Sequence, residues 1–418
     1  MRVLAGASGA MKIHEKRMRN GLKVLVSPKK SLESVGIVTG FGFGSVDVGS
    51  RFTGLAHYLE HMLFKGTAKR NWDEINEITR RYNIFYNAET DYETTMYEAS
   101  VQKRYVDRAM ELMSDMIKNP RFDRTEFRHE LGPILHETAI RKEDPESILY
   151  DNMPRVLFEQ TDLVKTPTES MIRNNISLRH IKVAYEKYYN PRNAVLSIYG
   201  GISAEEGFAL ARKYFSNFER PSAKPERKTI TPNENPSVLM MKKHDIGRGE
   251  VGIAVGCGGI SRANFHEYAV MNVIAGILNN RIYDQVREVH GLSYDPSVDY
   301  AAYGAFSYLL ASAGAAPSKL PEIKGLMLEE FRKLSSGRIS KREIDTVKRG
   351  LEIKYAMDSD DVLESAESIA EMDLMYGSGR LAGELPKIVR RLDVEDIRRL
   401  ISKYISMRSY GTIVLGRA

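Results

Sequence analysis

His57, Glu60 and His61 lie within five residues of one another, in the stretch that runs from 54 to 64. In a helix, residues four positions apart lie one turn above each other on the same face. Glu60 lies roughly 60° to one side of His57 at about 100° per residue, so the three polar side chains share one stripe. Apolar side chains fill most of the other positions. The stretch therefore predicts a helix that is buried except along one polar edge.

This polar edge has the composition of a metal site. Two neutral imidazoles at positions i and i+4 can bind one divalent ion, and an unligated carboxylate beside them can accept a proton from water. The order H-x-x-E-H is the inverse of H-E-x-x-H, the commoner zinc-binding helix. A chance grouping that binds nothing is the alternative. The chain has only nine histidines, which favours the metal interpretation.

A zinc site needs at least one more protein ligand, which usually comes from another element. A polar helix predicted from about 123 to 142 offers Glu130 and Glu137, seven residues and about 10.5 Å apart along the helix axis. That separation allows only one of them to touch the ion, so the other can orient the ligands by hydrogen bonding. His129 and His136 flank them and are further possible ligands. Spacing alone does not choose among these residues.

Composition sets the broad class of the protein. The chain has 418 residues, of which 42% are hydrophobic, enough for two or more domains with ample cores. Its net charge of +6 is spread without a long basic block, so we expect no nucleic-acid partner. No window approaches the roughly twenty apolar residues of a membrane span, so we expect no membrane segment.

The cysteine content and the start of the chain bear on location. The single cysteine, Cys257, cannot form an internal disulfide, which favours a reducing compartment, the cytoplasm. Met1 to Ala10 lack the apolar run of a secretory signal. Met11 is an alternative start, which would make the first ten residues an extension.

Apolar periodicity predicts further strands and helices in the first half. Alternating runs on either side of Asn20-Gly21 predict a hairpin with a type I′ turn. The continuous apolar run at 35–41 predicts a buried strand. Other predicted strands are 84–89, 94–101 and 194–199, and other predicted helices are 72–82, 106–117, 181–189 and 204–215.

The second half repeats the first, displaced by 216 residues. Val35-Gly36-Ile37 returns as Val251-Gly252-Ile253, and Lys187-Tyr188 followed by Gly200 returns as Lys403-Tyr404 followed by Gly416. We therefore predict an α+β fold of two duplicated, sandwich-like domains, each a mostly antiparallel sheet covered by helices. The proline-containing polar stretch 221–237 is the predicted linker between domains 1–220 and 238–418.

The repeat does not keep the metal motif. At the same displacement, the first-half residues meet apolar or basic counterparts: His57, Glu60 and His61 correspond to Val273, Gly276 and Ile277, and Glu137 corresponds to Ile353 or Lys354. We therefore predict that only the first half binds zinc.

The second half carries Arg287 and Tyr294 instead, seven residues apart after an amphipathic helix. A guanidinium and a phenol near a scissile carbonyl can donate hydrogen bonds to its oxygen as negative charge develops. The alternative is an ordinary surface arginine and a strand tyrosine.

These features together resemble the inverzincin peptidases, the family of pitrilysin, insulin-degrading enzyme and the mitochondrial processing peptidase. The resemblance rests on the H-x-x-E-H motif, the pair Glu130 and Glu137, the dipeptide Asn87-Ala88 at a strand, and the Arg287 and Tyr294 spacing in a copy without ligands. It runs from about residue 22 to the C-terminus. In length the chain is similar to the two-chain bacterial and archaeal branch and to processing-peptidase subunits.

The resemblance implies a zinc-dependent endopeptidase. One zinc ion per chain would be bound by His57, His61 and Glu137, with Glu60 as the general base. Glu130 matches the family's second acidic position, which supports the site without binding the metal.

The resemblance also implies how substrate and partners bind. Asn87 and Ala88 match an edge strand that receives a short or unfolded polypeptide as an added β-strand. Arg287 and Tyr294 match a pair that contacts substrate near the cleaved bond. In a homodimer this pair would act on the zinc of the other chain. A heterodimer with a ligand-less homologous subunit, as in processing peptidases, and a non-catalytic scaffold subunit are the alternatives.

Two stretches depart from the family pattern. The region 161–168 stands where relatives often have a glycine-rich loop that shapes the partner interface, so the choice of partner is less defined than zinc binding. The strand entry Asn83-Ile84-Phe85-Tyr86 is bulkier than usual, which predicts a narrower substrate groove.

Overall fold

The computed structural model describes residues 11–158, 166–221, 224, 226, 230–233, 236–243, 247–405 and 410–417. The predicted extension before Met11, residues 222, 223, 225, 227–229, 234 and 235 of the predicted linker, and residues 161–165 of the unusual loop lie outside these ranges. Within them, no helix has both the length and the apolar character needed to cross a membrane.

The first sheet contains six strands among the described residues, in the order β1-β2-β6-β3-β5-β4. Only β2 and β6 are parallel, and every other neighbouring pair is antiparallel, as predicted. The strands are β1 His14–Arg17, β2 Lys23–Pro28, β3 Ser34–Phe41, β4 Phe85–Thr90, β5 Thr95–Gln102 and β6 Ala194–Gly200.

The helices of the first half agree with most of the predicted ones. The helix carrying the H-x-x-E-H motif, α1, and the polar helix, α4, both form, whereas α5 and α6 were not predicted. The helices are α1 Leu55–Leu63, α2 Trp72–Tyr82, α3 Val106–Lys118, α4 Arg124–Glu143, α5 Pro145–Leu157, α6 Glu169–Asn175, α7 Leu178–Tyr188 and α8 Ala204–Phe215.

The second half repeats this architecture. Its sheet has the order β7-β11-β8-β10-β9 among the described residues, which is the first sheet without a counterpart of β1. The strands are β7 Val238–Lys243, β8 Gly249–Gly258, β9 Ser297–Ala302, β10 Phe306–Ala315 and β11 Tyr410–Arg417. The helices are α9 Phe265–Tyr283, α10 Leu320–Ser335, α11 Lys341–Asp358, α12 Val362–Tyr376, α13 Leu381–Arg391 and α14 Val394–Tyr404. The predicted duplication is confirmed.

Each half contributes a helix to the sheet of the other. Helix α12 packs on β3 and β6 of the first sheet, and α5 packs on β8 and β11 of the second. The repeated glycines make room for both. A methyl group on Gly36 would lie 2.0 Å from the carbonyl oxygen of Val362, and one on Gly252 would lie 2.6 Å from Leu149 Cδ1. The two halves are therefore interlocked.

The first hairpin forms, but its turn is not type I′. That type needs positive φ at both central residues, and only Gly21, at 96°, has it. The side chain of Asn20 instead donates hydrogen bonds to the carbonyl oxygens of Phe215 and Phe218, at 2.7 and 2.9 Å. These tertiary contacts hold Asn20 in a three-residue loop closed by a bond from Gly21 N to Met18 O.

Candidate metal centre

Helices α1 and α4 bring the predicted ligands together. Helix α1 begins after Gly54, whose φ of 95° favours glycine, and buries most of its residues in the first core. Helix α4 begins after Asp123, whose carboxylate accepts hydrogen bonds from the N–H groups of Thr125 and Glu126 and so caps the helix. The polar edge of α1 faces the middle of α4, because His57 and His61 contact Glu130 and Glu137 there.

Three ligand atoms form a small triangle between these helices. His57 Nε2 lies 3.0 Å from His61 Nε2, and Glu137 Oε2 lies 3.4 Å from each of them. With bonds of about 2.0–2.2 Å, a tetrahedral zinc ion keeps its ligand atoms roughly 3.3–3.6 Å apart. The triangle is nearly that size, and its two nitrogens and one oxygen are a donor set that zinc accepts. The group could hold a metal ion with one position open.

Glu130 and Lys65 hold the ring of His61 from behind. Glu130 Oε1 lies 2.8 Å from His61 Nδ1, and Glu130 Oε2 lies 2.6 Å from Lys65 Nζ. Burial acts to raise the pKa of Glu130, but the hydrogen bonds from His61 and Lys65 outweigh it and lower the pKa. The carboxylate is thus an acceptor, His61 donates from Nδ1, and Nε2 keeps its lone pair for a metal.

The two imidazoles have different pKa values. Burial, with the nearby positive charges of His61 and Arg141, lowers the pKa of His57 to about 4, so this ring is neutral at pH 7. For His61, burial acts to lower the pKa, but the hydrogen bond to Glu130 and the neighbouring carboxylates outweigh it and raise the pKa. A proton and a metal ion therefore compete for the ring of His61.

Glu60 lies beside the triangle without being part of it. Its side chain is buried, with the residue 6% exposed, and Oε2 accepts a hydrogen bond of 2.6 Å from the hydroxyl of Thr90. Burial raises the pKa of the Glu60 carboxyl to about 7, although the bond from Thr90 acts to lower it. A carboxyl with this pKa exchanges protons readily near neutral pH, as general acid–base chemistry needs.

Two family models match most of the chain. One, described as "Insulinase (Peptidase family M16)", matches residues 24–168, and the other, described as "Peptidase M16 inactive domain", matches residues 175–351. The chain belongs to peptidase family M16. The resemblance to the inverzincin peptidases is thereby confirmed.

Proteins of similar length are similar to this chain in sequence or in fold. An "uncharacterized zinc protease" of Mycobacterium leprae is 25% identical over 406 residues, which are 95% of this chain and 90% of that protein. A protease from Helicobacter pylori has a TM-score of 0.87 at 20% identity and covers 97% of this chain and 99% of its own. A chain of complex III from Candida albicans has a TM-score of 0.82 at 17% identity, with 97% and 96% covered.

The other possible ligands are not in the triangle of this M16 chain. Among the described residues, only His57, His61 and Glu137 form a group that could hold a metal, and His129 and His136 are exposed on α4 outside it. Of the candidates that spacing left open, the structure brings the carboxylate of Glu137 within 3.4 Å of both imidazole nitrogens.

The predicted substrate strand is the edge strand β4. Asn87 and Ala88 pair with Glu98 and Tyr97 of β5 on one side, and no described strand pairs with β4 on the other. Of the bulky residues before them, Phe85 is 51% exposed.

Arg287 and Tyr294 contact each other in the second half. Arg287 Nη1 donates a 2.7 Å hydrogen bond to the carbonyl oxygen of Tyr294, and its guanidinium lies 4.2 Å from the centre of that ring. Tyr294 is 80% exposed. Arg287 lies in a π-helical turn, a feature that often marks functional sites. None of the described contacts of this pair reaches the triangle in the same chain.

Lys65 and Thr90 have contacts at the site that sequence reasoning missed. Lys65 follows His61 by four residues, so helical spacing could have placed it near Glu130. Thr90 follows Ala88 by two residues on β4, so alternation could have placed both on the face toward α1. Neither signal is strong without the tertiary structure.

Proposed function

We propose that this M16 chain is a zinc-dependent endopeptidase that hydrolyses peptide bonds of short or unfolded polypeptides. The observation that carries the proposal is the triangle of His57, His61 and Glu137 with the buried Glu60 beside it. A zinc ion bound there would supply Lewis-acid polarisation of the scissile carbonyl and a water of lowered pKa. The M16 relative from Mycobacterium leprae is named a zinc protease, which agrees with this assignment.

The chain's own residues divide the remaining work. Glu60 takes the proton from the attacking water and later delivers it to the leaving amine. Glu130, held by Lys65, keeps the His61 ring in one tautomer and orientation. The substrate adds as a strand to β4 at Asn87 and Ala88, so that recognition depends largely on backbone hydrogen bonds and tolerates many sequences.

The test of this proposal is Glu60→Gln. The variant is expected to keep one zinc ion per chain and to lose peptide cleavage by about 10²- to 10⁴-fold, because the amide cannot accept the proton. Glu33→Gln, which changes an exposed carboxylate paired with Lys103, is the matched control. Chelation should abolish cleavage by the unmodified chain, and added zinc should restore it. Full activity of Glu60→Gln would remove Glu60 as the base.

We also propose a homodimer in which Arg287 and Tyr294 of one chain act at the metal centre of the other. The absence of described contacts between the pair and its own triangle supports this arrangement. Hydrogen bonds from the guanidinium and the phenol would stabilise the negative charge that develops on the carbonyl oxygen. The domain division 1–220 and 238–418, with a linker at 221–237, then places metal binding and strand addition in the first domain and the Arg287 and Tyr294 contacts in the second.

Mixing two inactive variants tests the shared site. Glu60→Gln chains and Arg287→Ala chains are each expected to be inactive alone, and the mixed dimer is expected to regain one of its two sites. No recovery in a verified mixed dimer would contradict the shared site.

Two alternatives make different predictions. A processing-peptidase-like subunit would bind zinc but cleave only with a homologous partner, and complex III contains a chain of this fold. A non-catalytic scaffold would neither cleave alone nor gain activity from a partner. The "inactive domain" model matches mainly the second half, while the first half keeps all three ligands. We place the activity in the cytoplasm, because the one cysteine, Cys257, cannot form an internal disulfide.

A further inference from the structure

We propose that Thr90 is a positioning residue that fixes the Glu60 carboxylate and joins it to the substrate-binding strand. The inference rests on the proposed peptidase function and adds a residue to it. It is based on the hydrogen bond from Thr90 to Glu60 and on the position of Thr90 at the end of β4.

The contact is specific to one carboxylate oxygen. The Thr90 hydroxyl donates to Glu60 Oε2 at 2.6 Å, across 30 residues of sequence. Within the described part of the chain, this is the side-chain hydrogen bond that Glu60 receives. The Glu60 side chain is almost fully buried, so water cannot readily replace the Thr90 hydroxyl as a donor if that hydroxyl is removed. Thr90 therefore selects which way the carboxylate faces and leaves Oε1 for proton transfer.

The place of Thr90 joins the base to the recognition edge. Thr90 is the last residue of β4, and strand alternation puts its side chain on the same face as Tyr86 and Ala88. That face packs on α1 and on Phe64, the residue after α1, whose ring centre lies 5.3 Å from that of Tyr86. The backbone of β4 thus offers an unpaired edge to a peptide while the Thr90 side chain reaches the base.

The hairpin that carries Thr90 is anchored on both sides. Thr95 pairs with Thr90 across the hairpin, and its hydroxyl donates to the carbonyl oxygen of Phe43 at 2.8 Å. In the turn, the buried carboxylate of Glu93 accepts hydrogen bonds from Gly304 N and Ala305 N of the second half, each 2.8 Å. A strand fixed in this way holds the Thr90 hydroxyl, and through it Glu60, in a constant position.

The expected effect is on the rate of the chemical step. Misplacing a catalytic group by about 1 Å costs on the order of 100-fold in rate. Thr90→Val keeps the shape of the side chain and removes the donor, so kcat should fall about 10- to 100-fold. KM should change little because the backbone edge of β4 is unaltered. Zinc content should stay at one per chain because Thr90 touches no ligand.

The experiment compares three variants on one peptide, with kcat, KM, zinc content and melting temperature measured for each. Thr90→Val is expected to lose kcat, and Thr90→Ser is expected to restore most of it, since the hydroxyl returns. Thr39→Val is the control, because it removes a buried hydroxyl of β3 that contacts Met113 Sδ at 3.3 Å and takes no part in anchoring the Thr90 hairpin. If Thr90→Val does not fold, Thr90→Ala repeats the test without a methyl group against the carboxylate.

A double variant separates positioning from a general structural effect. In the Glu60→Gln background, Thr90→Val should reduce the residual rate no further, because there is no base left to position. Unchanged kcat in Thr90→Val, or equal losses in Thr90→Val and Thr39→Val, would overturn the role of Thr90. Cleavage by Glu60→Gln at the unmodified rate would instead overturn the peptidase mechanism itself, so the two failures are distinguishable.

Discussion

The helix pairs α1 with α4 and α9 with α11 occupy corresponding places in the two halves. The side chains in contact between the two helices differ in chemistry from one pair to the other. Between α1 and α4, imidazoles and carboxylates meet, as in the 2.8 Å contact of His61 with Glu130. Between α9 and α11, Gly276 lies against Val347, and a methyl group on that glycine would be 2.5 Å from Val347 Cγ1. The same scaffold thus has a cluster of imidazoles and carboxylates in the middle of one helix pair and close apolar packing in the middle of the other.

The second pair shows that the fold does not need the cluster of imidazoles and carboxylates. Burying ionisable groups costs desolvation energy that close pairing does not always recover, and apolar replacements are often neutral or stabilising. Ile353, the counterpart of Glu137, is 61% exposed, so the α11 face offers an apolar side chain where α4 offers a ligand. The polar contacts of the first pair are best explained by the metal that they can hold.

The largest expected effect comes from giving the first half the residues of the second. The double variant His57→Val and Glu137→Ile should reduce bound zinc from one per chain to none, because one imidazole cannot hold the ion alone. In chelator, where zinc adds no stability of its own, its melting temperature should equal or exceed that of the unmodified chain. Metal analysis and calorimetry measure both.

His290→Val is the matched control for that variant, because it removes an exposed histidine of the second half. It should leave zinc content unchanged. Full zinc binding by the double variant would show that the triangle is not the metal site.

A smaller effect on zinc binding is expected from removing the cation that contacts the first helix pair. Lys65 contacts Glu130 of α4, and its counterpart, Arg281, lies 2.7 Å from Glu343 of α11. Lys65→Met should weaken zinc binding by about 10- to 100-fold, because Glu130 loses the partner that fixes it against His61. Competition with a chelating dye at pH 7 measures the Kd.

Arg281→Met is the control for Lys65→Met, since it removes an equivalent cation from the pair that has no ligands. Its zinc affinity should equal that of the unmodified chain. Equal losses in the two variants would mean that the effect is one of general stability.

The sequence was sufficient for the elements that carry local signals. The motif helix α1, the polar helix α4 and α8 follow from helical spacing, and the lost ligands of the second half follow from the repeat. The choice of Glu137 over Glu130 as the ligand came from family resemblance. Spacing allows only one of them to touch the ion, and in the structure the carboxylate of Glu137 is the one that lies beside both imidazoles.

The exchange of α5 and α12 could not be read from the sequence. An amphipathic helix shows that it has an apolar face, but not which sheet covers that face. In retrospect, Gly36 and Gly252 are the trace of the exchange, because each leaves space for a helix from the other half. The prediction of a type I′ turn at Asn20 was wrong for a related reason, since contacts with residues about 195 positions away determine the conformation of the turn.

The smallest predicted effect tests the apolar pair directly. Gly276→Ala should destabilise the fold by about 1–3 kcal/mol, because the added methyl group overlaps Val347, whose β-branched side chain cannot turn aside in a helix. Gly350→Ala on α11, where an added methyl meets nothing within 4 Å, should instead stabilise by about 1 kcal/mol through helix propensity. Urea unfolding measures both.

In the double variant Gly276→Ala and Val347→Ala, the overlap is gone, so the cost in stability should be less than the sum of the costs of the single changes. Additive costs would mean that the two helices do not meet at Gly276, and the contrast with α1 and α4 would lose its basis.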